Sequence, residues 1–513
     1  MMAKQRIFLT GATGTMGFLG VQELLKDSDK IELVVLVRDT DKNKELLEPF
    51  TTKGCLEIVL GDLVDYQSVE RCVRDADIVL HVGAFVSPAA DYYPEVAMQV
   101  NYGSSVNIIK AIKALRQEQK TRFVYIGTVA ETGDRMPPIH WGRVGDPLKP
   151  SVYDYYAVSK IAAERHVVES ELPYWVSLRQ TGIMGPAMAS IEDAIMFHNC
   201  LDNVLEYVSD KDSAILLRNL CAKERNKELG SNFWGHIFNI GGGESCRVST
   251  YDMYTIMFGA IGLKDLSYAA DTKWYATRNF HGQYYLDSDK LNDILDFRHD
   301  SMQYFYDAYL KNLGGTATAA RILTKLPGGQ KFMGNILKKR FLKLAQTEHG
   351  TVNFTENNRE EHIAAYWGSK EAWEAIPDFK DFKHFTDWDT VVPINHGYDE
   401  NKPEETLNLE DINGAAHFRG GKCLSNEMIT GDWMSKLHFE CAFGHKFEAS
   451  PRLVLEGGHW CPECERESWN YYERAKKDPF FAQVWTPLHD KKEKEYTYPK
   501  IVSELDVTDN TNA

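Results

Sequence analysis

Two kinds of hydrophobic pattern alternate through the first 180 residues of the chain. One is short and apolar at nearly every position: RIFLT (6–10), ELVVLV (32–37), LEIVLGD (56–62), DIVLHV (77–82), RFVYIG (122–127) and YWVSLR (174–179). A strand without a polar face is buried on both sides, as in a parallel sheet covered by helices. The other pattern has helical spacing, with Met16, Leu19, Leu24 and Leu25 as an example. Strand, helix and strand in succession predict an α/β fold, a Rossmann-type doubly wound parallel sheet.

From about residue 185 the pattern loosens. HIFNIGGG (236–243) is one further strand, expected to return to the sheet and complete it. STYDMYTIMFGAIG and YYLDSDKLNDILDF (284–297) are helical, the second closing a smaller α/β unit. Residues 331–345 predict a basic amphipathic helix with Ile336, Leu337, Phe341 and Leu344 apolar, expected as a docked helix with its charged face in water, with an anionic surface as the alternative partner of that face. Residues 351–400 are dense in aromatics, which are expected to pack on the first domain; a lid over a substrate is the sharper alternative. GYDENKPEETLNLEDINGAA reads as an acidic linker, and the final DKKEKEYTYPKIVSELDVTDNTNA as a partly disordered tail.

Composition narrows the function classes. With 513 residues, two or three domains are expected. A net charge of -16 disfavours non-specific nucleic-acid binding, so no nucleic-acid partner is expected. No apolar run is long enough for a bilayer span, and the N-terminal glycines break a strand and a turn rather than a secretory signal. The expectation is a cytoplasmic protein with no membrane partner. Five of the nine cysteines (55, 72, 200, 221, 246) are scattered and read as reduced core thiols.

TGATGTMG (10–17) follows the first strand and opens the first helix. Gly11, Gly14 and Gly17 form G-x-x-G-x-x-G, a spacing variant of the dinucleotide fingerprint. Such a loop needs a tight turn, a backbone close to a pyrophosphate, and a helix N-terminus aimed at the anion. Thr10, Thr13 and Met16 belong to the same cofactor-binding loop. The second strand should end at the adenosine ribose, and Arg38 stands there, 21 positions after Gly17. A guanidinium suits a 2′-phosphate, where a carboxylate would hold a 2′-hydroxyl, so the expected cofactor is NADP. NAD stays open, because Asp39 follows directly. Asp62 and Leu63 after the third strand are expected at the adenine, and the small Gly83 and Ala84 after the fourth let the cofactor approach the backbone.

SVYDYYAVSK (151–160) offers three tyrosines and one lysine. Side chains four apart share a helix face, so only Tyr156 can place its phenol beside Lys160. A free phenol with a pKa of about 10 is a poor base at neutral pH, and a nearby ammonium lowers that value. Lys160 also has the reach for the nicotinamide ribose. Thr128 ends the fifth strand at the carboxyl edge of the sheet, where ligands bind in such folds. Thr128, Tyr156 and Lys160 are therefore the candidate catalytic trio.

TGATGTMG, GDL, NYGSS (101–105), GT (127–128) and YAVSK (156–160) together resemble the extended short-chain dehydrogenase/reductase family of NAD(P)-dependent epimerases, dehydratases and reductases. The resemblance covers about residues 5–310. It implies hydride transfer at nicotinamide C4, with Tyr156 as acid/base, Lys160 lowering its pKa and binding ribose, and Thr128 on the substrate oxygen. It also adds Asn101 to the cofactor-binding set and makes a homodimer plausible. Dehydratases of the family carry an acidic pair just after the Thr128 position, where this chain has Val129 and Ala130, with Glu131 one step further. Epimerases typically have an acidic residue where Arg38 stands. The leading expectation is thus an NADP-dependent oxidoreductase acting on a small-molecule carbonyl or secondary alcohol. The alternative is an NAD(P)-dependent epimerase of a nucleotide sugar. A non-catalytic dinucleotide-sensing adaptor ranks third, since it would need neither Tyr156 nor Lys160.

CAFGHKF and GGHWCPEC bring Cys441, His445, Cys461 and Cys464 together with zinc-ribbon spacing, and His459 is a substitute ligand. A closed set of thiolates and an imidazole suits tetrahedral zinc, so a structural zinc is expected; a redox C-x-x-C is the rival, but no thioredoxin-like unit surrounds it. The expected domains are 1–184, the dinucleotide-binding Rossmann domain; 185–313, the substrate part; 314–400, a helical aromatic-rich extension; 401–490, a zinc-ribbon-like module; and 491–513, the tail.

Overall fold

The computed structural model describes residues 4–52, 54–466, 469–490 and 493; the predicted tail lies outside the described residues apart from Asp490 and Glu493. All seven predicted strands form one sheet: β1 (Gln5–Thr10), β2 (Ile31–Val37), β3 (Leu56–Leu60), β4 (Ile78–His81), β5 (Arg122–Thr128), β6 (Trp175–Gln180) and β7 (His236–Ile240). Their order is β7-β6-β5-β4-β1-β2-β3, parallel throughout. The chain winds outward from β1 to β3, then crosses back to β4 on the other side of β1. That reversal leaves a crevice at the carboxyl ends of β1 and β4.

Alternation along each strand feeds two apolar layers. Ile7, Leu9, Val35, Leu80 and Val124 pack with helix α1 (Thr15–Leu24) and with Leu216, Leu217 and Leu220 of the helix Asp210–Arg225. Phe8, Val34, Val79, Phe123 and Tyr125 face the other way, onto Ile108, Ile112 and helix α2 (Tyr155–Val168). That second layer also holds Ile412, Phe439, Leu453, Leu455, Trp460 and Cys461. The C-terminal cysteine region therefore shares a core with the sheet.

The helix predicted over 331–345 runs from Gly329 to Ala345. Leu337, Phe341 and Leu344 dock against Phe197, Tyr254 and Phe258, but Ile336 is 49% exposed and off the packed face. The acidic linker is corrected in its second half. Leu409–Phe418 is a helix started by an Asn408/Asp411 capping box, and Ile412, Ala415 and Ala416 anchor it in the core. The aromatics after residue 351 do pack on the first domain: Phe354, Tyr366 and Trp367 share a cluster with Tyr155 and Val158 at the start of α2. Among the described residues no helix is long and apolar enough to cross a membrane.

Candidate active site and metal centre

The glycine loop joins β1 to α1 at the crevice. Gly11 has φ +71°, and a Cβ on it would lie 2.7 Å from Gly83 Cα. A Cβ on Gly17 would lie 2.1 Å from the Gly11 carbonyl oxygen. These three glycines let the ends of β1 and β4 and the first turn of α1 close on one another. Gly83 N–H donates to Thr10 Oγ1 at 2.8 Å, and Thr10 Oγ1 bonds His81 Nδ1 at 2.9 Å. His81, whose Nε2 meets Ser104 Oγ at 3.0 Å, is fully buried, and burial pushes it down to about 3, so it is neutral. Sequence reasoning missed this tie between strands, since a lone histidine in an apolar run carries no motif.

Gly14 caps α1, leaving the first-turn amides of Thr15, Met16 and Gly17 free of intrahelical partners and aimed out of the helix. Met16 turns its side chain into the core, so its backbone is what it offers, while Thr13 is half-buried beside it. Arg38, just past β2, is exposed. Asp39 beside it pairs with Lys44 at 2.5 Å. Asp62, past β3, is half-buried and accepts Val64 N–H at 3.1 Å; the Leu63 carbonyl accepts from Asn107 at 3.0 Å. Ala84 follows Gly83 and is half-buried. Asn101 is spent on structure: it exchanges bonds with the Phe85 backbone at 2.7 and 2.9 Å and donates to Ser159 Oγ at 2.8 Å, tying the β4 loop to α2.

The opening turn of α2 is held by two carboxylates. Asp154 Oδ1 accepts Ala157 N–H at 2.8 Å, and Asp91 Oδ1 accepts Tyr156 N–H at 3.1 Å. Burial and the neighbouring Asp154 push Asp91 up to about 8. Of the three tyrosines, Tyr155 is buried in the core, and Tyr153 (φ +71°) stacks on His362 at 4.6 Å. Tyr92 stacks likewise on His349 at 3.7 Å, so the segment after residue 345 covers both flanks of the helix start. Tyr156 is left, half-buried, beside Thr128. Lys160 is buried; its ammonium donates to the Ile126 carbonyl at 2.7 Å and lies 4.2 Å from the centre of the Tyr125 ring. Burial pulls Lys160 down, opposed by Glu131 and Glu164. The balance at Tyr156 differs from the sequence expectation: burial raises its phenol, with the neighbouring Thr128 hydroxyl working the other way and Glu131, Asp154 and Asp91 adding to the rise.

Glu131 does not stand free beside Thr128. Its Oε1 accepts Thr128 N–H at 3.0 Å, closing a capping box, and its Oε2 lies 3.1 Å from Arg179 Nε. Arg179 also pairs with Glu164, and all three are fully buried. This ion network was not read from the sequence.

The four expected metal ligands do converge. Their ligand atoms all lie within 4.8 Å of one another. Cys441 Sγ is 3.8 Å from Cys464 Sγ, and His445 Nδ1 is 3.5 Å from Cys461 Sγ and 3.4 Å from Cys464 Sγ. A tetrahedral zinc with bonds of about 2.3 Å to sulfur and about 2.0 Å to nitrogen sets S···S edges at about 3.8 Å and S···N edges at about 3.5 Å. His459, the expected substitute, is excluded: its ring is spent on Glu164 at 3.1 Å and Glu465 at 3.4 Å.

Residues 7–216 match the model of the NAD dependent epimerase/dehydratase family. Among curated proteins, an inverting UDP-N-acetylglucosamine 4,6-dehydratase of Campylobacter jejuni is 30% identical over 112 residues, 22% of this chain and 33% of that protein. A UDP-glucose 4-epimerase of Rickettsia akari is 27% identical over 115 residues, again 22% of this chain and 33% of that protein. The chain thus spans about a third of the length of the curated relatives it matches. Among solved structures, a dTDP-glucose 4,6-dehydratase from Bacillus anthracis in complex with NAD gives a TM-score of 0.46 at 15% identity, over 60% of this chain and 97% of the other. The Thermus thermophilus UDP-glucose 4-epimerase complex with NAD gives 0.44 at 20% identity, over 60% and 99%.

Proposed function

We propose that this chain, whose residues 7–216 belong to the NAD dependent epimerase/dehydratase family, is an NAD(P)-dependent enzyme that oxidises a secondary alcohol of a nucleotide sugar and re-reduces the resulting ketone, the epimerase reading. The observation that carries it is the convergence of Thr128, at the carboxyl end of β5, with Tyr156 and the buried Lys160 of α2, beside glycines 11 and 17 where an added Cβ would strike backbone at 2.7 and 2.1 Å. A bound nicotinamide dinucleotide would accept and return the hydride. Gly11, Gly17 and Gly83 leave room for its pyrophosphate, and the first-turn amides of α1 face the anion. Tyr156 would exchange a proton with the substrate hydroxyl oxygen, which needs the charge of Lys160 and of a bound oxidised dinucleotide to offset the burial that raises its phenol, and Thr128 would hold that oxygen in reach.

The names of the relatives support a nucleotide-sugar substrate. Glu131 supports epimerisation over dehydration, because it is fully buried, with one oxygen on the Thr128 amide and the other 3.1 Å from Arg179, and so presents no carboxyl to a substrate in the crevice. Net carbonyl reduction with NADP is the second reading, supported by Arg38, which stands exposed past β2 while Asp39 is engaged by Lys44. Cys441, His445, Cys461 and Cys464 would hold a structural zinc, a reading supported by their convergence within 4.8 Å and by three edges of 3.8, 3.5 and 3.4 Å that match its tetrahedron.

The test is Tyr156→Phe, assayed for interconversion of UDP- and dTDP-sugars without added reductant and for NADPH consumption with ketones. Turnover should vanish while dinucleotide binding stays within about threefold, the lost hydroxyl acting on the proton and not on the cofactor. A fully active variant would end the proposal. Net NADPH oxidation without epimerisation would select the second reading.

A further inference from the structure

The region between the cysteine ligands does more than fold back on itself. Cys461 is two residues from His459, which is fully buried and places Nε2 3.1 Å from Glu164 Oε1. Cys464 is followed by Glu465, whose Oε2 takes two bonds from Arg165 at 3.1 and 2.9 Å and whose Oε1 accepts Trp460 N–H at 2.8 Å. Arg165 reaches the Trp460 carbonyl at 2.6 Å, and Arg179 reaches the Gly457 carbonyl at 2.6 Å. Glu164 and Arg165 sit four and five residues after Lys160 on α2, so they belong to the next turn below it.

From Glu164 the path continues toward the reacting groups. Arg179 bridges Glu164 to Glu131, and Glu131 holds the Thr128 amide at 3.0 Å. Each link is an ion pair or a charged hydrogen bond out of water, where one unpartnered member is costly. The only groups that close this network from outside the sheet and α2 are His459 and the Gly457 carbonyl among the described residues.

We infer that the C-terminal cysteine module is a positioning clamp for Thr128 and Lys160, acting through His459 on the Glu164–Arg179–Glu131 network. His459 is a positioning residue that touches no substrate. The inference rests on the proposed roles of Thr128 and Lys160 and on the metal holding 441–464 in place.

The experiment uses the full chain loaded with zinc, with His459→Ala and the conservative His459→Gln, which keeps a donor for Glu164. Zinc content, NADH binding by fluorescence, hydrogen exchange of 128–132 and 155–165, and the split of turnover into kcat and KM are read together. His459→Ala should keep its zinc and bind NADH within about threefold, since the glycine cradle lies elsewhere. Exchange in both segments should rise about 10- to 100-fold, the range for loss of one hydrogen bond to a buried charge. In the same variant kcat should fall by about tenfold or more with KM little changed, and His459→Gln should restore most of both. If His459→Ala does not fold, Glu465→Gln replaces it, with the same pattern expected in weaker form. Unchanged exchange and kcat in the substituted protein, or a loss in His459→Ala that His459→Gln fails to rescue, would overturn the clamp. The exchange readout needs no substrate, so it stands or falls apart from the epimerase reading; zinc absent from the wild-type protein would overturn the metal premise alone.

Discussion

Gly17→Ala tests the cradle by a displacement the structure sets. The new Cβ would sit 2.1 Å from the Gly11 oxygen, 2.6 Å from its carbonyl carbon and 3.1 Å from Ala12 N. An ordinary carbon–oxygen contact needs about 3.2 Å or more, so roughly 1 Å of backbone movement is required. Gly11 cannot supply it by retreating, because it already abuts Gly83, which is pinned to Thr10 at 2.8 Å. The loop that presents the first-turn amides must therefore shift. Overpacking of this kind costs about 1–3 kcal/mol, or roughly 5- to 150-fold in affinity if it falls on the cofactor-binding geometry. Gly14→Ala is the internal control: φ is -86° there, and its Cβ would make an ordinary 3.4 Å contact. Titration of NADH and NADPH by fluorescence or calorimetry should show Gly17→Ala weakened about tenfold or more and Gly14→Ala within about threefold. Equal affinities for the two variants, or Gly14→Ala as the weaker binder, would refute the steric argument.

Arg38→Glu should cost NADPH about 10- to 100-fold in affinity and NADH far less, because only the 2′-phosphate loses a charged partner; parallel titrations check it, and equal losses would remove Arg38 from the ribose. Cys461→Ser/Cys464→Ser should abolish zinc binding by elemental analysis and lower the melting temperature, since Cys461 is part of the same apolar core as Phe123 and Val167. His384 is opposed by burial but raised to about 9 by hydrogen bonds to Asp202 and Asp252, at 2.8 and 3.3 Å. A raised folded value gives stabilisation that is whole below about pH 6.5 and lost as pH climbs through about 9. The melting temperature should therefore fall by roughly 1–3 °C over that window, and His384→Gln should flatten the change.

The sheet was legible because its strands are buried on both faces. A run such as ELVVLV has no alternative to the middle of a parallel sheet, and it lies there as β2. The glycine loop was legible because sterics leave no substitute where a Cβ would meet backbone at 2.1 Å. The cysteines were legible by type, though only geometry could choose His445 over His459, six residues from Glu465 and fully buried. Asn408–Phe418 resembles a linker because acidic residues crowd the segment before it, although N-L-E-D is a capping signal ahead of Ile412.

Glu164 shows where the helix argument stopped one step early. The rule that chose Tyr156 for Lys160, a spacing of four, applies again from Lys160 to Glu164. Followed that far, it puts a carboxylate on the same stripe of α2, one turn deeper, where the sheet must supply a cation. Arg179 on β6 supplies it. Taking Glu131 for the same cation then explains Val129 and Ala130: the acidic residue after Thr128 points back at the strand end and makes Thr128 rigid. What the sequence cannot give is the partner that closes the set, because His459 stands 295 residues from Glu164 and no periodicity links them. The charge pattern of the crevice floor is thus local and readable on α2, and long-range and unreadable where the C-terminal region meets it.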